Sequence, residues 1–203
     1  MTREEELSII KRTLAGDTNA FEAIVSAHQK NVYNLALRIV GNADDAFDMS
    51  QEAFLRAYRS LENFRGDSRF SVWLYRLTSN ICIDFLRKKK LRNESSLSWE
   101  NDDGEIDDIA IPDLRFSPEK ALDRKELAEA VRAGLDSLPP ELRQILVLRE
   151  INGLDYREIA QVLDIEEGTV KSRIFRARKK LCALLAESGN IPLTSPSNNG
   201  KEV

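Results

Sequence analysis

The sequence predicts an all-α fold with two helical domains joined by an acidic flexible linker. Apolar residues recur at helical spacing along most of the chain, and no segment shows the two-residue alternation of a strand. Charge is unevenly distributed: residues 1–93 carry +3, residues 94–118 carry −7 and residues 119–186 carry +1. An acidic middle between mildly basic ends indicates two domains with charged surfaces and a linker.

The N-terminal domain, residues 1–93, is predicted to be a bundle of four helices. The glycine-containing breaks that separate them lie at Gly16-Asp17, Gly41-Asn42 and Gly66-Asp67. Asp44 or Asp45 is placed to cap the third helix. The stripe expected to be buried in the third helix is Met49, Phe54, Ala57, Tyr58 and Leu61. In the fourth helix it is Trp73, Leu74, Leu77, Ile81 and Phe85.

Two segments lack helical periodicity. Residues 94–118 combine eight acidic side chains with Ser and two Pro, which is typical of an extended or disordered connector. Apolar residues within this segment indicate that it docks on another surface, and a solvated spacer is the equally weighted alternative. Residues 188–203 are rich in Ser, Asn, Gly and Pro and are predicted to be a disordered tail.

The C-terminal domain, residues 119–187, contains the strongest motif. Asp155 is placed to cap a short helix at 156–163, a three-residue turn follows, and a basic helix then runs to about Glu187. These are the components of a helix-turn-helix. The inward stripe of the basic helix is predicted to be Val170, Ile174, Ala177 and Leu181.

The other sides of this basic helix suit DNA. A helix fits the major groove, where Arg bonds a guanine edge and Lys or Ser holds phosphates. The residues predicted to make such contacts are Thr169, Lys171, Ser172, Arg173, Phe175, Arg176, Arg178 and Lys179. A solvated basic helix is the alternative.

A second candidate surface lies on the fourth helix of the N-terminal domain. Four polar residues recur at steps of seven, four and seven positions, which returns to one side of a helix. A basic ridge beside a loop and aromatic rings suits a nucleic-acid strand with an unstacked base. The candidate residues are Phe64, Arg65, Gly66, Asp67, Ser68, Arg69, Arg76, Asn80 and Arg87. The alternatives are that Phe70 and Trp73 belong to the core and that the arginines form a solvated face.

An acidic patch opens the third helix. The helix dipole alone is enough to explain Asp44, Asp45 and Asp48 at a helix N-terminus. Asp48 also forms a compact polar patch with Gln51 and Glu52, which suits a basic partner helix. Both interpretations are open at this point.

Composition disfavours several classes of protein. A single His and two distant Cys argue against a His-based metal site, Ser-His-Asp chemistry and a disulfide scaffold. No apolar run approaches the roughly 18 residues of a membrane helix, and the acidic start is unlike a secretory signal. Dinucleotide, P-loop, paired-cysteine and HExxH motifs are absent. The sequence therefore predicts no enzyme, no metal or cofactor and no small-molecule substrate.

The lone histidine and the cysteines have structural interpretations. His28 lies between Val25 and Val32 on a helix and is expected to be a satisfied structural residue. Cys82 and Cys182 belong to different domains and are expected to be free thiols in a reducing cytosol.

Three segments together resemble the extracytoplasmic-function group of the sigma-70 family, the small promoter-specificity subunits of bacterial RNA polymerase. They are DDAFDMSQEAFLRAYRSLENFRGDSRFSVWLYRLTSNICIDFLRKKK, the acidic linker, and SLPPELRQILVLREINGLDYREIAQVLDIEEGTVKSRIFRARKKL. The resemblance covers about residues 5–186 and is closest to the stress-response branch, whose members are often held by a membrane-bound anti-sigma factor. Two positions depart from the family: Phe47 stands where an acid is usual, and Lys171 where Arg is common.

This resemblance implies a sigma-2 domain at 1–93 and a sigma-4 domain at 119–187. The acidic patch would dock on core RNA polymerase, at the clamp of the β and β′ subunits. The loop and ridge would open the −10 element of promoter DNA and capture a flipped base, and the basic helix would read the −35 element. The linker would thread toward the active-site and RNA-exit channel. The implied location is the cytoplasm, or the inner face of the membrane where an anti-sigma factor holds the chain.

Two other functions are open at this point. A stand-alone helix-turn-helix repressor or activator would use the C-terminal domain as a dimer, and it leaves the loop, the ridge and the acidic patch unexplained. A helical enzyme acting on nucleic acid would need a focused cluster of carboxylates, which the sequence lacks.

Overall fold

The computed structural model describes residues 1–93 and 121–187, and within these ranges the chain forms eight α-helices and no strand. The all-α fold is therefore confirmed. The helices are α1 Arg3–Leu14, α2 Phe21–Val40, α3 Ala43–Arg59, α4 Phe70–Asn93, α5 Ala121–Ser137, α6 Pro140–Leu146, α7 Tyr156–Leu163 and α8 Glu167–Glu187. Single turns of 3-10 helix lie at Thr18–Ala20 and Leu61–Asn63, and a π-helical turn, Val147–Ile151, continues α6. The predicted linker, 94–118, and the predicted tail, 188–203, lie outside the described residues.

Local side-chain caps fix where the helices begin. Asp155 caps α7 as predicted, in a reciprocal capping box with Glu158. The prediction that Asp44 or Asp45 caps α3 was wrong. Asn42 is the cap, because its backbone is extended and its side-chain oxygen accepts a 2.9 Å hydrogen bond from the Asp45 amide.

Helix α4 lies between two apolar clusters. On one side it contributes to the N-terminal cluster, whose buried members are Ile10, Phe21, Ile24, Val32, Ala53, Ala57, Leu61, Phe70, Leu74 and Ile81. On the other side Val72, Tyr75, Cys82 and Ile83 join a second cluster. The C-terminal members of that second cluster include Leu138, Ile145, Leu148, Leu154, Ile159, Val162, Val170 and Ile174. We call it the shared cluster, because both halves of the chain bury side chains in it.

Arg143 links the two halves at the edge of the shared cluster. Its Nη1 donates a 2.9 Å hydrogen bond to the carbonyl of Ile39, in the last turn of α2, where helical carbonyls lack intrahelical partners. Its Nη2 donates to the carbonyls of Asp136 and Leu138. Burial lowers the pKa of the Arg143 guanidinium, and the nearby Asp136 carboxylate partly offsets that effect. The Arg143 guanidinium thus donates hydrogen bonds to backbone carbonyls of both halves of the chain.

The predicted buried stripes are partly correct. In α4, Leu74 and Ile81 are buried, whereas Trp73, Leu77 and Phe85 are half-buried. In α3, Tyr58 was expected to be buried, but it is 41% exposed. Its ring makes an edge contact with Phe21 at 5.3 Å between centroids, and that contact covers only one side of the ring.

We predict that Arg143→Met destabilises the chain by about 2–4 kcal/mol, because buried carbonyls of both halves lose their donor. Urea unfolding measures this as a lower midpoint. The matched variant Arg132→Met, at an exposed position of α5, is expected to change stability by less than about 0.5 kcal/mol. Equal urea midpoints for the two variants would contradict the linking role of Arg143.

We also predict that the two cysteines differ in reactivity. Both are free thiols, and burial raises the pKa of Cys82 to about 12, whereas Cys182 is only half-buried. Because the thiolate is the reactive form, at pH near 8 Cys182 is expected to react first with an aromatic disulfide reagent. Cys82 is expected to follow only after unfolding in urea. Removing the early phase with Cys182→Ser checks the assignment, and two equally fast thiols in the folded chain would contradict it.

Candidate nucleic-acid interface

The loop that precedes α4 is held in place by α1. Gly66 has φ +78°, a left-handed conformation that favours glycine, and its carbonyl accepts a 2.7 Å hydrogen bond from Arg3 Nη2. A Cβ at this glycine would lie 3.9 Å from Leu7 Cδ2. The loop therefore rests against α1, a support that the sequence analysis missed. No local pattern signals a hydrogen bond between side chain and backbone 63 residues apart.

Three aromatic rings lie beside this loop. Phe64, Phe70 and Trp73 contact one another with centroids 5.2 to 5.5 Å apart. Phe70 is buried in the N-terminal cluster, so its interpretation as a core residue is correct. Phe64 and Trp73 are half-buried. Their remaining exposed surface, next to a basic loop, suits the stacking of an unpaired base.

The predicted ridge on α4 is exposed, and the C-terminal half faces its cations with carboxylates. We call the set Arg69, Arg76, Asn80 and Arg87 the arginine ridge. Arg69 Nε donates a 2.8 Å hydrogen bond to Glu158 Oε1, at the start of α7. Arg76 Nη2 lies 3.9 Å from Asp164 Oδ2. Arg87 Nη2 lies 3.7 Å from Glu141 Oε1. The structure therefore brings the ridge together and places an acid opposite each of its arginines.

The structure divides the predicted acidic patch on α3. Asp45 accepts a 2.8 Å bond from Lys89 of α4, and Glu52 accepts a 2.6 Å bond from Arg56 one turn later. Asp44, Asp48 and Gln51 are exposed. Only these last three form an outward polar surface, while the other two acids are paired within the N-terminal half.

The same side of α3 exposes apolar residues that the sequence analysis did not assign to the surface. Phe47, Leu55 and Tyr58 are 54%, 51% and 41% exposed. With Gln51 they follow one another at helical steps of four, four and three. The signal was present in the sequence, because the small residues Ala46, Ser50, Ala53 and Ala57 share one side of α3 and are buried there. Phe47, Leu55 and Tyr58 are out of phase with them.

The helix-turn-helix has the predicted elements. Asp164, with φ 56°, ends α7, and the Ile165 amide donates to the Ala160 carbonyl at 3.1 Å. Val170 and Ile174 of α8 are buried in the shared cluster, as predicted. This packing fixes α8 against α7.

Seven of the eight predicted contact residues of α8 are exposed or half-buried. Lys171, Ser172, Phe175 and Arg176 are exposed, and Thr169 and Arg173 are half-buried. Arg178 is half-buried and donates a 3.1 Å bond from Nε to Glu150 Oε1, so this guanidinium already has a carboxylate partner.

The prediction that Lys179 faces outward was wrong. Its side is opposite the buried stripe, because it follows Val170 by nine residues, and helical periodicity alone predicts exposure. The residue is nevertheless only 5% exposed, and its Nζ finds no hydrogen-bond acceptor in the part of the chain that the structure describes. Helical periodicity describes the sides of one helix and does not indicate which other elements pack against them. The sequence therefore could not predict that Lys179 is buried.

His28 has the structural role expected of it. Its Nε2 lies 2.9 Å from Glu6 Oε1 of α1, and its ring contacts Phe70. Within residues 1–93 and 121–187, no group of His, Cys, Asp and Glu has the arrangement of a metal site. Over the same two ranges, no helix has the length and apolar character required to span a bilayer.

An all-α chain with a helix-turn-helix in one half and a basic, aromatic-flanked helix in the other has the architecture of a transcription initiation factor. Residues 24–92 match the family model of Sigma-70 region 2, and residues 128–181 match that of Sigma-70, region 4. The chain belongs to the sigma-70 family, in its extracytoplasmic-function (ECF) group.

Curated relatives are similar in sequence to this chain over nearly their whole length. The RNA polymerase sigma-H factor of Pseudomonas aeruginosa is 40% identical over 182 residues, which are 89% of this chain and 94% of the relative. The ECF RNA polymerase sigma-E factor of Escherichia coli K12 is 39% identical over 179 residues, which are 85% of this chain and 90% of the relative. Sigma factors direct core RNA polymerase to promoters, and this is the function of the chain.

Solved structures share the fold. CnrH, in complex with the cytosolic domain of CnrY, has a TM-score of 0.63 and 27% identity over 90% of this chain and 98% of its own. The sigma factor RpoE of Bartonella quintana, in complex with the anti-sigma factor NepR, has a TM-score of 0.59 and 22% identity over 82% and 96%. No comparison favours the stand-alone repressor considered from the sequence.

Proposed function

We propose that each half of the chain reads one promoter element. In the proposed division, residues 1–93 bind the polymerase clamp and open the −10 element, and residues 119–187 read the −35 element. The single observation that carries the proposal is the pairing, in one chain, of a ridge beside half-buried rings on α4 with a packed helix-turn-helix.

The −10 site is proposed to consist of the loop 64–69, the rings of Phe64 and Trp73, and the arginine ridge. Unstacking a base costs a few kcal/mol, and stacking it on an aromatic ring returns about 1–3 kcal/mol. The guanidinium groups of the ridge suit the phosphates on either side of such a base. Asn80, exposed between Arg76 and Arg87, suits hydrogen bonding to a base edge.

We predict that Asn80→Ala slows open-complex formation and leaves core-polymerase binding unchanged, because an exposed amide on α4 contributes to the captured base and not to the fold. Permanganate footprinting of a duplex promoter measures the opening. A template with a pre-melted −10 region is expected to restore part of the loss. The matched variant Asn34→Ala, exposed on α2, is expected to behave as wild type. Weaker core binding without rescue by the bubble would contradict this site.

The polymerase-binding surface is proposed to be the outer side of α3, with the polar residues Asp44, Asp45, Asp48, Gln51 and Glu52 at its rim. The exposed Phe47 lies between Asp45 and Asp48, and the exposed Leu55 follows Gln51 by one helical turn. These two side chains would supply the apolar centre of the contact. A central apolar anchor with a polar rim is the arrangement that gives most protein interfaces their affinity. Phe47, which departs from the family, would therefore contribute by burial.

The −35 site is proposed to be the exposed side of α8. Arg173 and Arg176 are our candidates for base contacts, and Lys171 is our candidate for a phosphate contact. Lys179, which was a further phosphate candidate, is buried in this structure and is no longer included.

Salt dependence separates these roles. We predict that replacing the base-reading arginine by Ala weakens the binding of the holoenzyme to promoter DNA by about 1–3 kcal/mol. The same change is expected to relax the base preference at one −35 position. Lys171→Ala is instead expected to weaken binding to all promoter sequences alike. It is also expected to reduce the slope of log affinity against log salt concentration by about 0.9. Affinities for a set of −35 point variants over a salt series measure both effects. Unchanged affinity and slope in Arg173→Ala and Arg176→Ala would exclude α8 from the interface.

An anti-sigma factor is also proposed as a partner. The solved structure of RpoE, which shares the fold, is a complex with the anti-sigma factor NepR, and that of CnrH is a complex with the cytosolic domain of CnrY. A membrane-bound regulator would hold the chain at the inner face of the membrane. Without such a regulator, the chain is proposed to be cytoplasmic. Co-purification with the product of an adjacent reading frame that encodes one membrane span would support the proposal.

A further inference from the structure

The loop before α4 is anchored more firmly at its ends than at its tip, residues 65–68. Phe64, at one end, contacts the Phe70 and Trp73 rings at 5.2 and 5.5 Å between centroids. Phe70, at the other end, is buried in the N-terminal cluster. The residues of the tip are exposed or half-buried. The conformation of the tip therefore depends on the few contacts that reach it.

Arg3 of α1 makes one of these contacts. Its Nη2 donates a 2.7 Å hydrogen bond to the Gly66 carbonyl, across 63 residues of sequence. Gly66 has φ +78°, and a Cβ there would lie 3.9 Å from Leu7 Cδ2, so Leu7 lies beside the turn. The other side-chain hydrogen bond of the tip, within the described ranges, is local and joins Ser68 Oγ to the Arg69 carbonyl. Among these described residues, Arg3 therefore provides the hydrogen bond that joins the tip to another helix.

We infer that Arg3 is a positioning residue: by holding the Gly66 carbonyl, it keeps the loop 64–69 in the conformation that receives the unstacked base. The inference rests on the function proposed for this loop at the −10 element. A loop that samples several conformations binds its target with an affinity reduced by the fraction that is competent to bind. The hydrogen bond from a charged donor raises that fraction. Arg3 acts through the backbone of the loop, while Phe64 and Trp73 receive the base.

Helix α1 is itself anchored, so the arginine has a fixed support. At the start of the helix, Thr2 and Glu5 form a reciprocal capping box with bonds of 2.7 and 3.2 Å. Next along α1, Glu6 Oε1 lies 2.9 Å from His28 Nε2 of α2, and the two side chains are 12% and 10% exposed. Ile10 is buried in the N-terminal cluster. Anchors at three points of α1 therefore fix the position from which the guanidinium reaches the loop.

The same helix supports the aromatic rings beside the loop. The His28 ring, which α1 contacts, lies 5.6 Å from the Phe70 ring between centroids. Phe70 in turn contacts Phe64 and Trp73. The tip of the loop is therefore supported by Arg3, and the rings that are proposed to stack the base are supported by His28.

The test removes the hydrogen bond and keeps the helix. Arg3→Met retains an unbranched side chain that has no donor. The control variant Lys11→Met removes one positive charge from an exposed position near the other end of α1. Both variants are expected to unfold at the same urea concentration as wild type, because both changes are at exposed positions.

The first readout is the mobility of a spin label at Asp67→Cys, on the exposed tip of the loop, in the full chain without polymerase. A Cys182→Ser background leaves the buried Cys82, whose thiol does not compete for the label. Arg3→Met is expected to raise the ratio of mobile to immobile label roughly 2- to 10-fold, the change that corresponds to one lost hydrogen bond. Lys11→Met is expected to leave the spectrum unchanged.

The second readout is the rate of open-complex formation by the holoenzyme on a duplex promoter, with unlabelled chains. Arg3→Met is expected to slow opening by up to the same factor, because a smaller fraction of the loops is competent. The slope of log affinity against log salt concentration for promoter binding is expected to stay unchanged, because a positioning residue contacts no phosphate. Lys11→Met is expected to behave as wild type in both measurements.

The outcomes separate this inference from the proposed function. An unchanged spectrum in Arg3→Met would overturn the inference. A more mobile loop with an unchanged opening rate would support the contact between α1 and the loop and contradict the role of the loop at the −10 element. Slower opening with a smaller salt slope would identify Arg3 as a phosphate contact and overturn its positioning role. A more mobile loop, slower opening and an unchanged salt slope would support both.

Discussion

The position of α4 between two apolar clusters is the constraint on which the rest of the structure depends. One side of α4 buries Phe70 and Leu74 in the N-terminal cluster, and another side buries Val72 and Ile83 in the shared cluster. The arginine ridge lies on the exposed side of this 24-residue helix, which the two buried sides leave free. The helix that stabilises the fold is therefore also the helix that presents the guanidinium groups, and a change to its packing alters both.

Burial and charge act on different parts of the interface between the halves. The shared cluster supplies apolar burial, which is not directional, while Arg143 and the ion pairs of the ridge fix how the halves are aligned. Arg143 is buried and its loss leaves carbonyls without a donor, so it acts on stability. The ridge pairs are partly exposed, and each of them contributes little to stability. A chain whose total charge is −4 can thus present a local cationic surface, because its acids and bases are segregated along the sequence.

Periodicity and capping chemistry were enough to predict the helices, the helix-turn-helix and the stripe at Val170 and Ile174, because these features depend on neighbours in sequence. The cap of α3 was misplaced by a few residues, since Asn42 and the aspartates after it are all good caps and only the backbone decides between them. The burial of Lys179 and the pairing of Arg69 with Glu158 depend on residues distant in sequence. No local pattern encodes them.

Run-off transcription with core RNA polymerase on a library of promoter fragments tests the central claim most directly. The account predicts transcripts only when the chain and core polymerase are both present, and only from fragments that share a −35 and a −10 element at a fixed spacing. Tight binding of the chain alone to palindromic duplexes, with no transcript that depends on it, would contradict the account.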